Sequence, residues 1–208
     1  MVERVLVVGA SGNIGVSAVK GALRSGRQVL AIVRNQASAD KLYKHVGSSE
    51  GIDVVEADVT SDTGVKSVVD QVKAGKLPAF QHVYTCVAYR DTIEYLLEQD
   101  HPDSTWTICT GAQGELAIFP LPAMGQGPLF PLVTAAAREN DKTNVRVNEV
   151  FLMFRVEVDE DAAQHGVSSS SEFASVYEKI LANPKIRGSR VRVAAPADIK
   201  DLKWTKKF

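Results

Sequence analysis

The chain has 208 residues, 45% of them hydrophobic, and balances 24 lysines and arginines against 25 aspartates and glutamates. That is enough chain for one core-forming domain of ~100–200 residues, and its near-neutrality gives no electrostatic reason to expect nucleic acid or an acidic membrane as partner. No apolar run approaches the ~20 residues of a membrane span, no signal-peptide pattern opens the chain, and two cysteines without a CxxC spacing make no disulfide framework; a reduced, cytoplasmic protein with residues 1–208 as a single domain is expected.

Strand and helix patterns alternate along the chain. Arg4–Val8 is a short apolar run and reads as a buried strand. Asn13–Ser25 follows as a helix with Ala18, Val19, Ala22 and Leu23 on one face, and Gly26 stands where a C-terminal cap belongs. Gln28–Val33 is the second strand, Ser38–Val46 a helix, and Ile52–Glu56 the third strand. Thr63–Ala74 carries Val65, Val68, Val69 and Val72 at helical spacing. Gln81–Val87 is the fourth strand, Asp91–Gln99 a short helix, and Ser104–Thr110 the fifth strand. Gly111–Pro128 is rich in proline and glycine and reads as a loop. Leu132–Asn140 is a helix, Val145–Phe154 the sixth strand, Glu172–Asn183 a helix opened by a Ser169…Glu172 capping box, and Arg190–Ala194 the seventh strand. The alternation implies an α/β fold, a doubly wound, mostly parallel sheet of about seven strands with helices on both faces. A ligand then belongs at the carboxyl ends of the strands, where strand order reverses.

The residues at that edge speak for a nucleotide. Gly9, Gly12 and Gly15 recur at three-residue steps between the first strand and the first helix. The turn holds Ser11, Asn13 and Ile14 as well, and its backbone N–H groups and the positive helix end form a cradle for phosphate. The alternative is a tight turn that needs glycine for packing alone. Arg34, 19 residues past Gly15, ends the second strand where NAD-binding sheets place a carboxylate. A guanidinium there clasps a 2′-phosphate, which favours NADP(H) over NAD; a solvated loop arginine is the competing reading. Asp58 and Val59 close the third strand, placed to meet the amine and the ring of an adenine.

Together these residues resemble the short-chain dehydrogenase/reductase superfamily. Gly9-Ala10-Ser11-Gly12-Asn13-Ile14-Gly15 is similar to its glycine motif, Asp58-Val59 to its adenine-contact dipeptide, and Val145–Val150 to the strand after its active-site helix. The resemblance implies a Rossmann-like fold, a nicotinamide cofactor and a small-molecule substrate, with a homodimer open. It also exposes departures. Family reductases carry Tyr-x-x-x-Lys after the fifth strand and a serine at its end. This chain has no tyrosine between Tyr95 and Tyr177 and no lysine between Lys76 and Lys142. The corresponding stretch reads Phe119-Pro120-Leu121-Pro122-Ala123-Met124-Gly125-Gln126-Gly127. Where the family has Asn-Ala-Gly after the fourth strand, this chain has Thr85-Cys86-Val87-Ala88-Tyr89, and the helix that follows looks short. The chain therefore reads as an atypical member.

Candidate catalytic groups follow from position. Thr110 stands where the family serine does, or is simply a buried strand-end threonine. Tyr89, with Arg90, is expected to face the nicotinamide end, as proton donor, stacking partner or loop packing; Ala88 joins the cofactor contacts. Cys86 and Cys109 end neighbouring strands, and small buried thiols are the better reading than a reactive pair. Glu115 is a surrogate acid or a solvated loop carboxylate. His45, His82, His101 and His165 lack metal-ligand spacing, and no GxSxG elbow supports hydrolysis. The basic, aromatic tail Leu202–Phe208 is docked or frayed rather than a nucleic-acid patch. The leading expectation is an NADP(H)-dependent reductase of a small, apolar carbonyl or enone with a nonstandard proton donor. A non-redox isomerase or cyclase and a non-catalytic NADP(H) sensor stand beside it.

Overall fold

The computed structural model describes residues 2–85 and 88–208. In chain order the elements are β1 (Arg4–Val8), α1 (Asn13–Arg24), β2 (Gln28–Val33), α2 (Gln36–Val46), β3 (Ile52–Glu56), α3 (Gly64–Lys73), β4 (His82–Thr85) and α4 (Tyr89–Gln99). Then come β5 (Ser104–Gly111), α5 (Gln113–Leu116), α6 (Pro120–Gln126), α7 (Leu129–Glu139), β6 (Val145–Leu152), β7 (Val156–Glu157), α8 (Asp159–His165), β8 (Ser168–Ser169), α9 (Ser170–Ala182), β9 (Ser189–Val193), a 3-10 turn (Pro196–Ile199) and β10 (Lys203–Lys206).

Eight strands form the main sheet in the order β3-β2-β1-β4-β5-β6-β9-β10. All neighbours are parallel except the last pair, where β10 runs antiparallel to β9. The sheet is the expected doubly wound one, with an extra edge strand made from the basic tail. Strand alternation explains the two cores. Val5 and Val7 of β1 face a cluster built with α1, α2 and α9. Leu6 and Val8 face a second cluster built with α3, α4 and α7, where Val65, Val68, Val69 and Val72 take the positions their spacing predicts.

The order reverses between β1 and β4, since β2 and β3 lie to one side of β1 and the later strands beyond β4. Helices that leave neighbouring strands in opposite directions open a crevice at that point.

Local chemistry sets the element ends. α9 carries the full capping box: Ser169 accepts from the Glu172 N–H at 3.1 Å, and Glu172 accepts from the Ser169 N–H at 3.1 Å. α2 starts two residues before the predicted helix because Asn35 caps it, accepting from the Ser38 N–H at 3.0 Å. The segment 111–128, expected as loop, contains the short helices α5 and α6. Its prolines do not break α6 because Pro120 and Pro122 sit in its first turn, where backbone N–H groups have no intrahelical acceptor anyway. Pro131 sits likewise in the first turn of α7, which begins three residues before the predicted helix. The last residues predicted for the fourth strand, Cys86 and Val87, lie outside the described residues.

Candidate cofactor and substrate site

Three cavities run along the carboxyl edge of the sheet and share walls. The first, about 320 Å³, lies between the ends of β2 and β3 and is lined by Gly9, Ser11, Gly12, Arg34, Ser38, Lys41, Asp58 and Val59 among others. The second, about 430 Å³, sits over the reversal point and is lined by Gly9, Gly12, Asn13, Ile14, Gly15, Val59, Tyr84, Cys109 and Tyr177 among others. The third, about 440 Å³, is reached past Ile14 and Cys109 and is walled by Thr110, Gly111, Gln113, Gln126, Met153, Phe154 and Arg155 among others. Gly9, Gly12 and Val59 belong to the first two, and Ile14 and Cys109 to the last two. The result is one groove from Arg34 to Met153.

The glycine turn is built for close approach. Gly9 adopts φ +76°, a left-handed conformation that L side chains rarely take. A β-carbon on Gly15 would lie 2.2 Å from the Gly9 carbonyl oxygen, so only glycine lets α1 start this close to β1. The N-terminus of α1 has no side-chain cap and no acidic residue in its first turn. Its leading N–H groups and about half a unit of positive dipole charge therefore face the groove uncompensated. That arrangement fits the phosphates of a dinucleotide.

In the first cavity Arg34 is exposed and lies close enough to Asp58 for its charge to matter. Asp58 Oδ1 accepts from the Thr60 hydroxyl at 2.7 Å and the Thr60 N–H at 2.9 Å. These bonds, with the Arg34 charge, hold its carboxyl below the usual range, so it stays an acceptor. Lys41 and Ser38 border the same cavity as Arg34 and Asp58. Sequence reading passed over both; the signal available was their position on one face of a helix that starts beside Arg34.

The catalytic expectations fare differently. Tyr89 does not turn to the groove. Its hydroxyl donates to Glu139 at 2.7 Å and accepts from Asn140 at 2.9 Å, and its ring packs edge-on to Trp106 at 5.2 Å. Burial, then Glu139, pushes its pKa up to about 12. Tyr89 is the first residue of α4 and packs against the core under α4 and α7, which carries it away from the cofactor edge. Arg90 points outward to Asp91 and the Asp62 carbonyl. Ala88 precedes α4 at φ +74°. It packs against the second core and is absent from the walls of the three cavities.

Thr110 does border the third cavity, but its side chain is fully buried and its hydroxyl donates to Glu149 Oε1 at 2.6 Å. Strand alternation sends it to the same sheet face as Glu149 on β6. Glu149 is itself wholly buried; its other oxygen accepts from Arg190 Nε at 3.0 Å and from Lys207 Nζ. Arg190 also pairs with Glu115 at 2.9 Å, so Glu115 is a bound surface carboxylate outside the groove. Cys109 is buried between the second and third cavities; Cys86 lies outside the described residues. Tyr84 lines the second cavity, yet its hydroxyl donates to the Tyr177 carbonyl at 3.1 Å and full burial raises its pKa. No group of three or more His, Cys, Asp or Glu among the described residues could hold a metal ion.

The third cavity contains side chains the sequence did not single out. Gln126 Oε1 accepts from the Gly111 N–H at 2.8 Å. Gln113 Oε1 is buried with no hydrogen-bond partner among the described residues. Arg155 stands at the rim, exposed and paired with Glu157. Gln113 and Gln126 stand on α5 and α6, in the segment expected as loop, and Arg155 directly precedes β7.

Comparison with known proteins agrees with this layout. The family profile described as short chain dehydrogenase matches residues 3–89. The short-chain dehydrogenase/reductase iacG of Pestalotiopsis fici is 48% identical, with 100% of this chain and 97% of that protein covered. That alignment runs over 242 positions, 34 more than this chain has residues, so the relative carries stretches without a counterpart here. A short-chain dehydrogenase/reductase (glucose/ribitol dehydrogenase) of Brucella melitensis superposes with TM-score 0.70 at 18% identity, covering 93% of this chain and 96% of the other. The aldohexose dehydrogenase of Thermoplasma acidophilum, in ligand-free form, superposes with TM-score 0.71 at 15% identity, covering 92% of each. With strand order, glycine turn and sequence identity in agreement, the chain belongs to the short-chain dehydrogenase/reductase family, an oxidoreductase family whose members imply a nicotinamide cofactor.

Proposed function

We propose that this protein is an NADP(H)-dependent, atypical member of its family that reduces a small apolar carbonyl compound or enone. The observation that carries the reading is the adenosine-end cavity, where Arg34 directly follows β2 and Ser38 and Lys41 stand on the same wall. Two cations beside a hydroxyl favour a 2′-phosphate, and no carboxylate ends β2 to hold a ribose diol. Gly9, Ser11, Gly12, Asn13, Ile14 and Gly15 would hold the pyrophosphate, and Asp58 and Val59 the adenine. The nicotinamide, once bound, supplies the hydride. The 208 residues act in this reading as one cofactor-binding domain.

The test is a titration followed by cofactor fluorescence. NADPH binds more tightly than NADH to the native chain. Arg34→Asp weakens NADPH by about 30–100-fold, the loss of one or two charge-assisted hydrogen bonds, and changes NADH by less than about threefold. Equal losses for both cofactors would remove Arg34 from the 2′-phosphate site, and no binding of either would end the reading.

A second reading, an NADP(H) sensor without turnover, draws on one observation. Tyr84, which lines the second cavity, and Tyr89, expected as proton donor, have hydroxyls committed to the Tyr177 carbonyl and to Glu139 and Asn140. Binding of NADPH with no oxidation across a panel of ketones, aldehydes and enones would favour it.

A further inference from the structure

The missing tyrosine leaves open what meets a substrate's carbonyl oxygen in the third cavity. We infer that the carboxamide of Gln126 is the carbonyl-anchoring group, which binds the substrate oxygen and stabilises the negative charge that forms on it. The inference rests on the reductase reading and deepens it by naming the residue that meets the substrate.

Three observations carry it. Gln126 borders the third cavity, and it lies within the segment 119–127 that stands in place of the family's tyrosine and lysine. Its amide orientation is settled by chemistry. The Gly111 N–H at 2.8 Å is a donor, so the atom facing it must be the carboxamide oxygen. The NH₂ group, with no hydrogen-bond partner among the described residues, is left to the cavity. Finally, the side chain is held in place. A β-carbon on Gly114 would come within 2.4 Å of the Gln126 β-carbon, and one on Gly111 within 3.6 Å of its δ-carbon. The glutamine therefore lies packed along two glycines and pinned by a backbone hydrogen bond, as a preorganised donor requires. Phe154 and Leu152 line the same cavity, and apolar neighbours strengthen a hydrogen bond to a developing oxyanion.

A carboxamide donates a hydrogen bond but does not release a proton at neutral pH. The step therefore divides. The hydride from NADPH, the reductant, adds to the carbonyl carbon, and the C=O π pair moves onto the oxygen. Gln126 Nε2–H stabilises that oxygen and keeps its own proton. Water then protonates it, giving the alcohol and hydroxide. Ketone, NADPH and water become alcohol, NADP⁺ and hydroxide.

The experiment uses [1-¹³C]cyclohexanone as probe, with the full chain at pH 8, with and without NADP⁺. Binding to the native protein moves the carbonyl ¹³C resonance downfield, the signature of a donor on the oxygen. Gln126→Glu preserves the shape and can still accept from the Gly111 N–H, so a merely structural role survives it. It replaces the free donor with a carboxylate oxygen that repels the carbonyl. The downfield shift disappears in this variant and cyclohexanone binds about 10-fold more weakly, while NADPH affinity holds. Gln126→Met, which removes both polar atoms, loses the shift too and serves if the glutamate variant does not fold. Retention of the shift in either folded variant overturns the inference, as does absence of any shift in the native protein. Absence of NADPH binding to the native protein would instead defeat the cofactor reading, and a shift seen without NADP⁺ would leave Gln126 in its role.

Discussion

Single positions at the groove divide into those whose chemistry shows in the sequence and those whose partners decide their use. Gly9, Gly15 and Arg34 belong to the first kind, because a glycine turn after a buried strand and a cation at the next strand's end are local patterns. Tyr89 and Thr110 belong to the second. Each stands at a suggestive position, yet Glu139 holds one hydroxyl and Glu149 the other, and neither partner is a sequence neighbour. Gln126 was passed over for the same reason, since its orientation depends on the Gly111 N–H. Ala88 offers a test at this scale. It is a non-glycine residue at φ +74°, a conformation that costs about 1 kcal/mol through its β-carbon. Ala88→Gly is expected to stabilise the fold by up to about 0.5 kcal/mol, after allowing for the added freedom of the unfolded chain. Thermal denaturation checks this. A melting temperature that falls would show that the alanine makes contacts worth more than the strain.

Among the elements, the periodic ones were legible. α1, α3 and α9 lie within one or two residues of their predicted bounds because their apolar spacing and, for α9, the capping box are encoded locally. The segment 111–128 was misread, since proline content alone does not distinguish a loop from helices with proline in the first turn. The tail's pattern fits a docked or a frayed end, and the structure makes it β10, paired along Ser189–Arg192. That pairing delivers Lys207 to Glu149, whose side chain is fully buried while that of Lys207 is 6% exposed. Burial pulls the Lys207 pKa down and the carboxylate opposes it. Removing one member of a buried pair strands the other, so Lys207→Met is expected to cost about 2 kcal/mol, softened by the remaining Arg190 contact. The melting temperature should drop by about 4–8 °C, and Glu149→Gln in the same background should recover part of it. No change in either variant would show that the tail does not hold this carboxylate.

For the molecule as a whole, stability should depend on pH through a buried group at the start of β4, far in sequence from the glycine turn. His82 on β4 is fully buried, with Thr105 Oγ1 3.1 Å from Nδ1, the Arg27 Nε–H at 3.2 Å and Glu3 Oε2 at 3.3 Å from Nε2. Burial, then the Arg27 charge, brings its pKa down to about 4 against Glu3. A histidine with a depressed folded pKa is protonated first in the unfolded chain. Its contribution is therefore full above about pH 6.5 and is lost as the pH falls toward 4. The drop from 6.5 to about 4 amounts to about 3–4 kcal/mol at most. Glu3, whose carboxyl is held low with His82 and Arg27 as partners, adds a loss of the same sign further down. Urea denaturation from pH 7.5 to 4.5 checks this, and a flat profile would mean that His82 takes up its proton in the folded state. The sequence by itself determined the strand and helix alternation, the doubly wound sheet and the tight glycine turn between β1 and α1. These arise from periods and turns spanning a few residues, where backbone sterics and apolar spacing act directly. Only the tertiary structure decided which polar side chains reach the groove. Burial leaves each polar group to find a partner, and the partners of Tyr89, Thr110, Gln126 and Lys207 come from strands and helices 15 to 58 residues away.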